Sequence, residues 1–140
     1  MKTVQNTVKT ATLLCLFLAV TATSFGQMAL DKVEANAAII SFEAETMDYG
    51  TIEQNSDGER TFTFKNNGNA PLILSNVKSS CGCTVPSYSK APIAPNTTGV
   101  ITVNYDTKKV GSFSKTITVT SNATEVTTLL KVKGNVVAAK

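Results

Sequence analysis

The chain has 140 residues, 42% of them hydrophobic, with 13 basic against 10 acidic residues and neither histidine nor tryptophan. A nucleic-acid binder needs a concentrated basic face, and these charges are scattered along the chain. Without histidine, the usual Ser-His or Cys-His activation of a nucleophile is out of reach.

Lys2 and Lys9 precede an uncharged run from Ala11 to Ala22. That run is shorter than the roughly 20 residues that span a bilayer, so residues 1–26 read as a signal peptide. Ser24 and Gly26 are the small residues a signal peptidase reads, which predicts cleavage between Gly26 and Gln27. Cys15 is no lipid-attachment site, because Leu13 and Leu14 stand where a small residue is needed. Removing 26 of the 140 residues leaves 114, enough for one domain with a single core. Lys2 and Lys9 leave with the signal, so 11 basic residues face 10 acidic ones and the net charge becomes +1. An exported protein, periplasmic or extracellular, with no membrane span after cleavage is the expectation.

Residues 27–38 carry little apolar surface and read as a flexible leader. Ile39–Glu45 and Asp48–Ile52 look extended, with a kink near Met47. Arg60–Lys65 alternates, with Phe62 and Phe64 on one face. Asn67-Gly68 is expected to supply the positive φ of a tight turn before the next strand, Leu72–Lys78. Pro86, Pro92 and Pro95 each lack the N–H that a ladder uses, which predicts a loop over residues 86–98. Val100–Tyr105 resumes the alternation, with Ile101, Val103 and Tyr105 inward. Phe113, Ile117 and Val119 share one face of the next strand; Ser114, Thr116, Thr118 and Thr120 share the other. Asn122-Ala-Thr turns the chain into Val126–Val136, with Val126, Leu130 and Val132 in phase. Lys131 and Lys133 point outward, a pattern that suits a protected edge strand.

Six or seven short strands with one buried face each predict an all-β, immunoglobulin-like antiparallel β-sandwich of about seven strands over residues 39–137. The stretches Asp48–Ile52, Phe62–Leu72, Ser80-Cys-Gly-Cys-Thr-Val-Pro86, Pro92-Ile-Ala-Pro95 and Thr116–Asn122 resemble the bacterial domain of unknown function 1573 family. That family is similar to immunoglobulin-like domains of the Hydin and major-sperm-protein type. The likeness covers roughly residues 40–136, and Cys-Gly-Cys-Thr-Val-Pro is its most specific part. It implies a sandwich exported by a bacterium of Bacteroidetes type, and it implies no activity.

The residues themselves point the same way. Glu43, Glu45, Asp48, Glu53, Asp57 and Glu59 are the carboxylates available for acid–base work, and alternation on a solvated face explains Glu43 and Glu45 more simply. Asn55–Glu59 lacks the spacing and terminal bidentate ligand of a calcium loop. The two glycosylation sequons, at Asn96 and Asn122, carry little weight in a bacterial protein. The expectation is no enzyme and no cofactor.

Cys81 and Cys83 are separated by Gly82 alone, and three readings stay open. The pair is a local structural element (a disulfide or two small apolar side chains), an exposed redox couple, or two thiolates on a soft metal. A regular strand would hold the two Cα atoms about 6.7 Å apart, so a disulfide needs a bend, which Gly82 makes cheap. Closing so short a loop stabilises the fold by only on the order of 1–2 kcal/mol before strain. Zinc wants four ligands, and copper(I) accepts two thiolates but has no Met-x-Met array here. The leading expectation is a non-catalytic module that binds or supports an envelope or extracellular component, with Val85, Tyr88 and Ile93 as the candidate binding face. The alternative is a thiol-disulfide or copper-handling protein acting through Cys81 and Cys83.

Overall fold

The alternation of apolar and polar residues becomes eight strands in the computed structural model, which describes residues 36–140. They are β1 (Ile40–Phe42), β2 (Thr46–Glu53), β3 (Glu59–Asn66), β4 (Leu74–Ser79), β5 (Thr84–Tyr88), β6 (Thr98–Tyr105), β7 (Gly111–Ser121) and β8 (Thr127–Val137). The signal segment, the Gly26–Gln27 junction and residues 27–35 of the leader lie outside the described residues. Two four-stranded sheets form, ordered β1-β3-β6-β5 and β2-β8-β7-β4. Among the described residues no helix is long and apolar enough to cross a membrane.

The architecture is the expected sandwich, with eight strands in place of about seven and with one parallel pair, β2 and β8. The chain leaves β1 in one sheet and enters β2 in the other across Glu43–Glu45. β2 then lies along the last strand of the chain. No hairpin joins these two, so nothing forces them antiparallel.

Phe62, Phe64, Ile101 and Val103 from the first sheet meet Ile117, Val119, Leu130 and Val132 from the second, each no more than 1% exposed. Tyr105 and Phe113 are buried in the same core, so the inward phase of β3, β6, β7 and β8 is as the sequence reads. Val126 is the exception. It precedes β8, is 57% exposed, and accepts a hydrogen bond from Ser121 N as part of the turn.

Lys131 and Lys133 do point outward, yet β8 is a central strand flanked by β2 and β7, not an edge. The outer face of that sheet is solvated, so lysines are tolerated there, and Lys133 Nζ lies 3.2 Å from Asp48 Oδ2.

Pro86 also departs from expectation: it lies within β5 instead of a loop. β5 has a neighbour on one side only. Asp106 N donates to Cys83 O at 2.8 Å, so alternate residues 83, 85 and 87 bond toward β6 and Pro86 directs its missing N–H to the free side.

Asn67 and Gly68 do not adopt positive φ; Asn55, Asn96, Gly50 and Gly111 do. Gly68 is required for another reason. It is buried against the backbone of Ala37–Ile39, where any Cβ would overlap the Ala37 carbonyl. That segment is the end of the expected leader. Ala38 is 1% exposed and bridges to Ala123, so residues 37–38 belong to the folded body.

Candidate functional site

β4 ends in the second sheet and β5 begins in the first, so Ser80–Cys83 carries the chain across the sandwich. Ser80 N donates to Thr116 O at 2.8 Å and Ser80 Oγ accepts from Thr116 N at 3.2 Å, the last ties to the second sheet. The bond from Asp106 N to Cys83 O is the first tie to the other sheet. Between them Cys81 and Cys83 are joined as a disulfide with Cα atoms 5.4 Å apart, closer than the spacing of a regular strand. The bend that the short spacing demands is therefore the crossover itself. Gly82 makes it without left-handed φ.

The two sulfurs have different surroundings. Cys83 packs against the core, whereas Cys81 Sγ lies 3.9 Å from Thr84 Oγ1. Joined in a disulfide, the pair offers no thiolate to a soft metal. Among the described residues no three His, Cys, Asp or Glu side chains cluster as a cation site.

A second feature opens between the start of β4, the end of β5 and the loop that follows it. Tyr88 occupies an inward position of β5 opposite Ile101. Ile93 is held in the following loop by reciprocal hydrogen bonds with Leu72, 2.9 and 2.8 Å. Both line a groove of about 570 Å³ that also takes in Leu74, Pro92 and Val100. Small-molecule and side-chain pockets typically measure about 300–1,000 Å³. Val85 is not part of it. It lies out of phase with Tyr88, opposite Asn104, and is 62% exposed on the outer face. Two of the three expected face residues thus meet, while Val85 lies beyond the groove, whose rim on that side of the sheet is Ser87, Val100 and Thr102.

Asn66 fixes the far wall of this groove. Its side chain is fully buried at the end of β3. Oδ1 accepts from Gly68 N (3.0 Å) and Ile39 N (3.3 Å), and Nδ2 donates to Ala70 O (2.8 Å) and Ile93 O (3.0 Å). One amide thereby ties the N-terminal segment, the 66–70 turn and the proline-rich loop together. Sequence reasoning missed it, since Asn66 reads as one more turn residue in Asn-Asn-Gly-Asn. Its place at an inward position of a strand was the available signal.

At the opposite end of the sandwich Tyr49 OH donates to Gly58 O at 2.9 Å, and the Arg60 guanidinium lies 4.6 Å above the Tyr49 ring. Burial pushes the Tyr49 phenol up to about 12, with Arg60 opposing the rise and Asp57 adding to it. Asp48 is held below the ordinary carboxylate value, first by the hydrogen bond from Gly50 N and then by Lys133. Asp57 Oδ1 accepts from Glu59 N at 2.9 Å, as in an ordinary turn. Tyr49 and Asp48 are thus committed to structural partners.

The model of the family described as "Protein of unknown function (DUF1573)" matches residues 40–136, which bears out the resemblance read from the Cys-Gly-Cys-Thr-Val-Pro region and its neighbours. Among curated proteins nothing matches. A protein of unknown function from Porphyromonas gingivalis W83 superposes with a TM-score of 0.64 at 17% identity, covering 73% of this chain and 48% of that one. This chain therefore spans about half the length of that protein. PapD-like domain 7 of human CEP192 gives 0.63 at 9% identity, over 84% and 98% of the two chains. The VesB protease of Vibrio cholerae gives 0.54 at 12% identity, over 69% and 31%. At such identities the likeness is one of fold.

Proposed function

Because the chain belongs to this family of proteins of unknown function, with a PapD-like, immunoglobulin-like fold, we propose that it is an exported, non-catalytic module that binds another envelope or extracellular protein. The groove beside Tyr88 and Ile93 carries this reading. It is concave, largely apolar, and walled by a loop that Asn66 and Leu72 hold in place, so a partner side chain would meet a preformed site.

Export is supported by the leader pattern of residues 1–26 and by the disulfide, which suits an oxidising compartment. The absence of histidine and the structural commitment of Tyr49 and Asp48 support a non-catalytic role.

The test is photo-crosslinking in the native host, with the crosslinking residue placed at Tyr88 in one strain and at Val85 in another. A discrete adduct from Tyr88 and none from Val85 is expected. No adduct from Tyr88, or the same adduct from both, would mean the groove is not where a partner sits. N-terminal sequencing of the same preparation should begin at Gln27; a chain that retains Met1 in the membrane fraction contradicts export by cleavage.

A further inference from the structure

We propose that Cys81–Cys83 is a thiol-exchange site: a surface disulfide that takes two electrons from a dithiol, and returns them to the corresponding disulfide, while the domain stays folded. The claim is independent of the groove.

Access carries the argument. Gly82 is exposed between two partly exposed cysteines, so the disulfide lies at the surface of the crossover and within reach of an approaching thiol. Exchange requires that access.

The surroundings allow the bond to open. The crossover is held independently by the Ser80–Thr116 pair and by the Asp106–Cys83 hydrogen bond, none of which involves sulfur. A loop of this size adds little chain entropy when closed, so little is lost when it opens.

The two sulfurs divide the work. The partner's thiolate attacks Cys81 Sγ, the sulfur that is not packed on the core. A mixed disulfide forms to Cys81 as the Cys81–Cys83 bond breaks, and Cys83 leaves as a thiolate that takes a proton from water. The partner's second thiol loses its proton and attacks the partner's own sulfur in the mixed disulfide. Cys81 is released as a thiolate, facing the Thr84 hydroxyl as a hydrogen-bond donor, and is then protonated. The protein pair is reduced, the dithiol is oxidised to its disulfide, and two electrons and two protons have moved.

The probe is dithiothreitol acting on the mature folded protein without denaturant, with thiols read by alkylation and mass shift and the fold by circular dichroism. Full reduction with a retained β-sheet spectrum, and re-oxidation by oxidised dithiothreitol, are expected. In the folded protein the Cys81 thiol of Cys83→Ser should alkylate about tenfold or more faster than the Cys83 thiol of Cys81→Ser, because only Cys83 packs on the core. The Cys81→Ser/Cys83→Ser double variant should remain folded. Reduction only in denaturant, unfolding upon reduction, an unfolded double variant, or equal alkylation rates in the two single variants would each overturn the proposal.

Discussion

Asn66 Nδ2 donates to the carbonyl of Ile93 at 3.0 Å, across 27 residues of sequence and from inside the core. The amide has no spare capacity, because its other three bonds go to Ile39, Gly68 and Ala70. A buried polar group that is completely satisfied rigidifies what it touches, and here it touches one wall of the groove.

Asn66→Leu keeps the volume but strands the Ile39 N–H and the groups of the 66–70 turn, while Ile93 O keeps its bond from Leu72 N, and should cost on the order of 3 kcal/mol in a denaturant titration. Asn66→Asp should be no better, since it replaces two donors by an acceptor facing the carbonyls of Ala70 and Ile93. A cost below about 1 kcal/mol for Asn66→Leu would show that the network is not what orders the loop.

Phe62 and Phe64 are 1% and 0% exposed, so truncating either to alanine should cost about 3–5 kcal/mol, a large part of the stability of so small a domain. Thr116→Ala and Thr118→Ala, on the outer face of β7, should change the denaturation midpoint far less. Equal losses at both pairs of positions would contradict the register.

Tyr49 makes stability depend on alkaline pH. Its folded pKa, about 12, lies above the ordinary value of 10.0, so the unfolded chain loses the phenolic proton first. The contribution is fully present below pH 10 and disappears as pH rises toward 12. Tyr49→Phe should reduce this alkaline loss without abolishing it, because burial raises Tyr105 as well. At neutral pH the same variant should cost only about 1 kcal/mol, since Gly58 O keeps its bond from Tyr105 N. An unchanged pH profile above 10 in Tyr49→Phe would refute the assignment.

Gly134 sits on β8 opposite Phe113, where a Cβ would come within 2.8 Å of Phe113 Cζ and Tyr49 Cβ. Phe113 is itself stacked on Tyr105, with centroids 3.7 Å apart and planes at 12°, so it has little room to retreat. Gly134→Ala should therefore destabilise by about 1–3 kcal/mol. A neutral or stabilising result, measured by thermal melting, would mean the aromatic cluster is loosely packed.

The inward phase of β3, β6, β7 and β8 was legible in the chain alone, because a half-buried strand writes its burial as a period of 2 that each residue reports locally. The Cys-Gly-Cys segment and its neighbours likewise identified the family. What the alternation does not encode is which strands lie side by side. Two outward lysines look alike on an edge strand and on a central strand with a wet outer face, so the alternation suits an edge, whereas β2 pairs with β8 in parallel and makes it central. Pro86 ends a ladder only if its nitrogen, which carries no hydrogen, faces a neighbour, and the topology puts that side of β5 at the free edge. Val85 and Tyr88 lie three residues apart, but they separate because β5 continues through the proline. Asn66 acquires its role from carbonyls as far as 27 residues away, and Gly68 from a backbone segment about thirty residues earlier. Each of these was settled by long-range backbone approach, which a local pattern of hydrophobicity cannot carry.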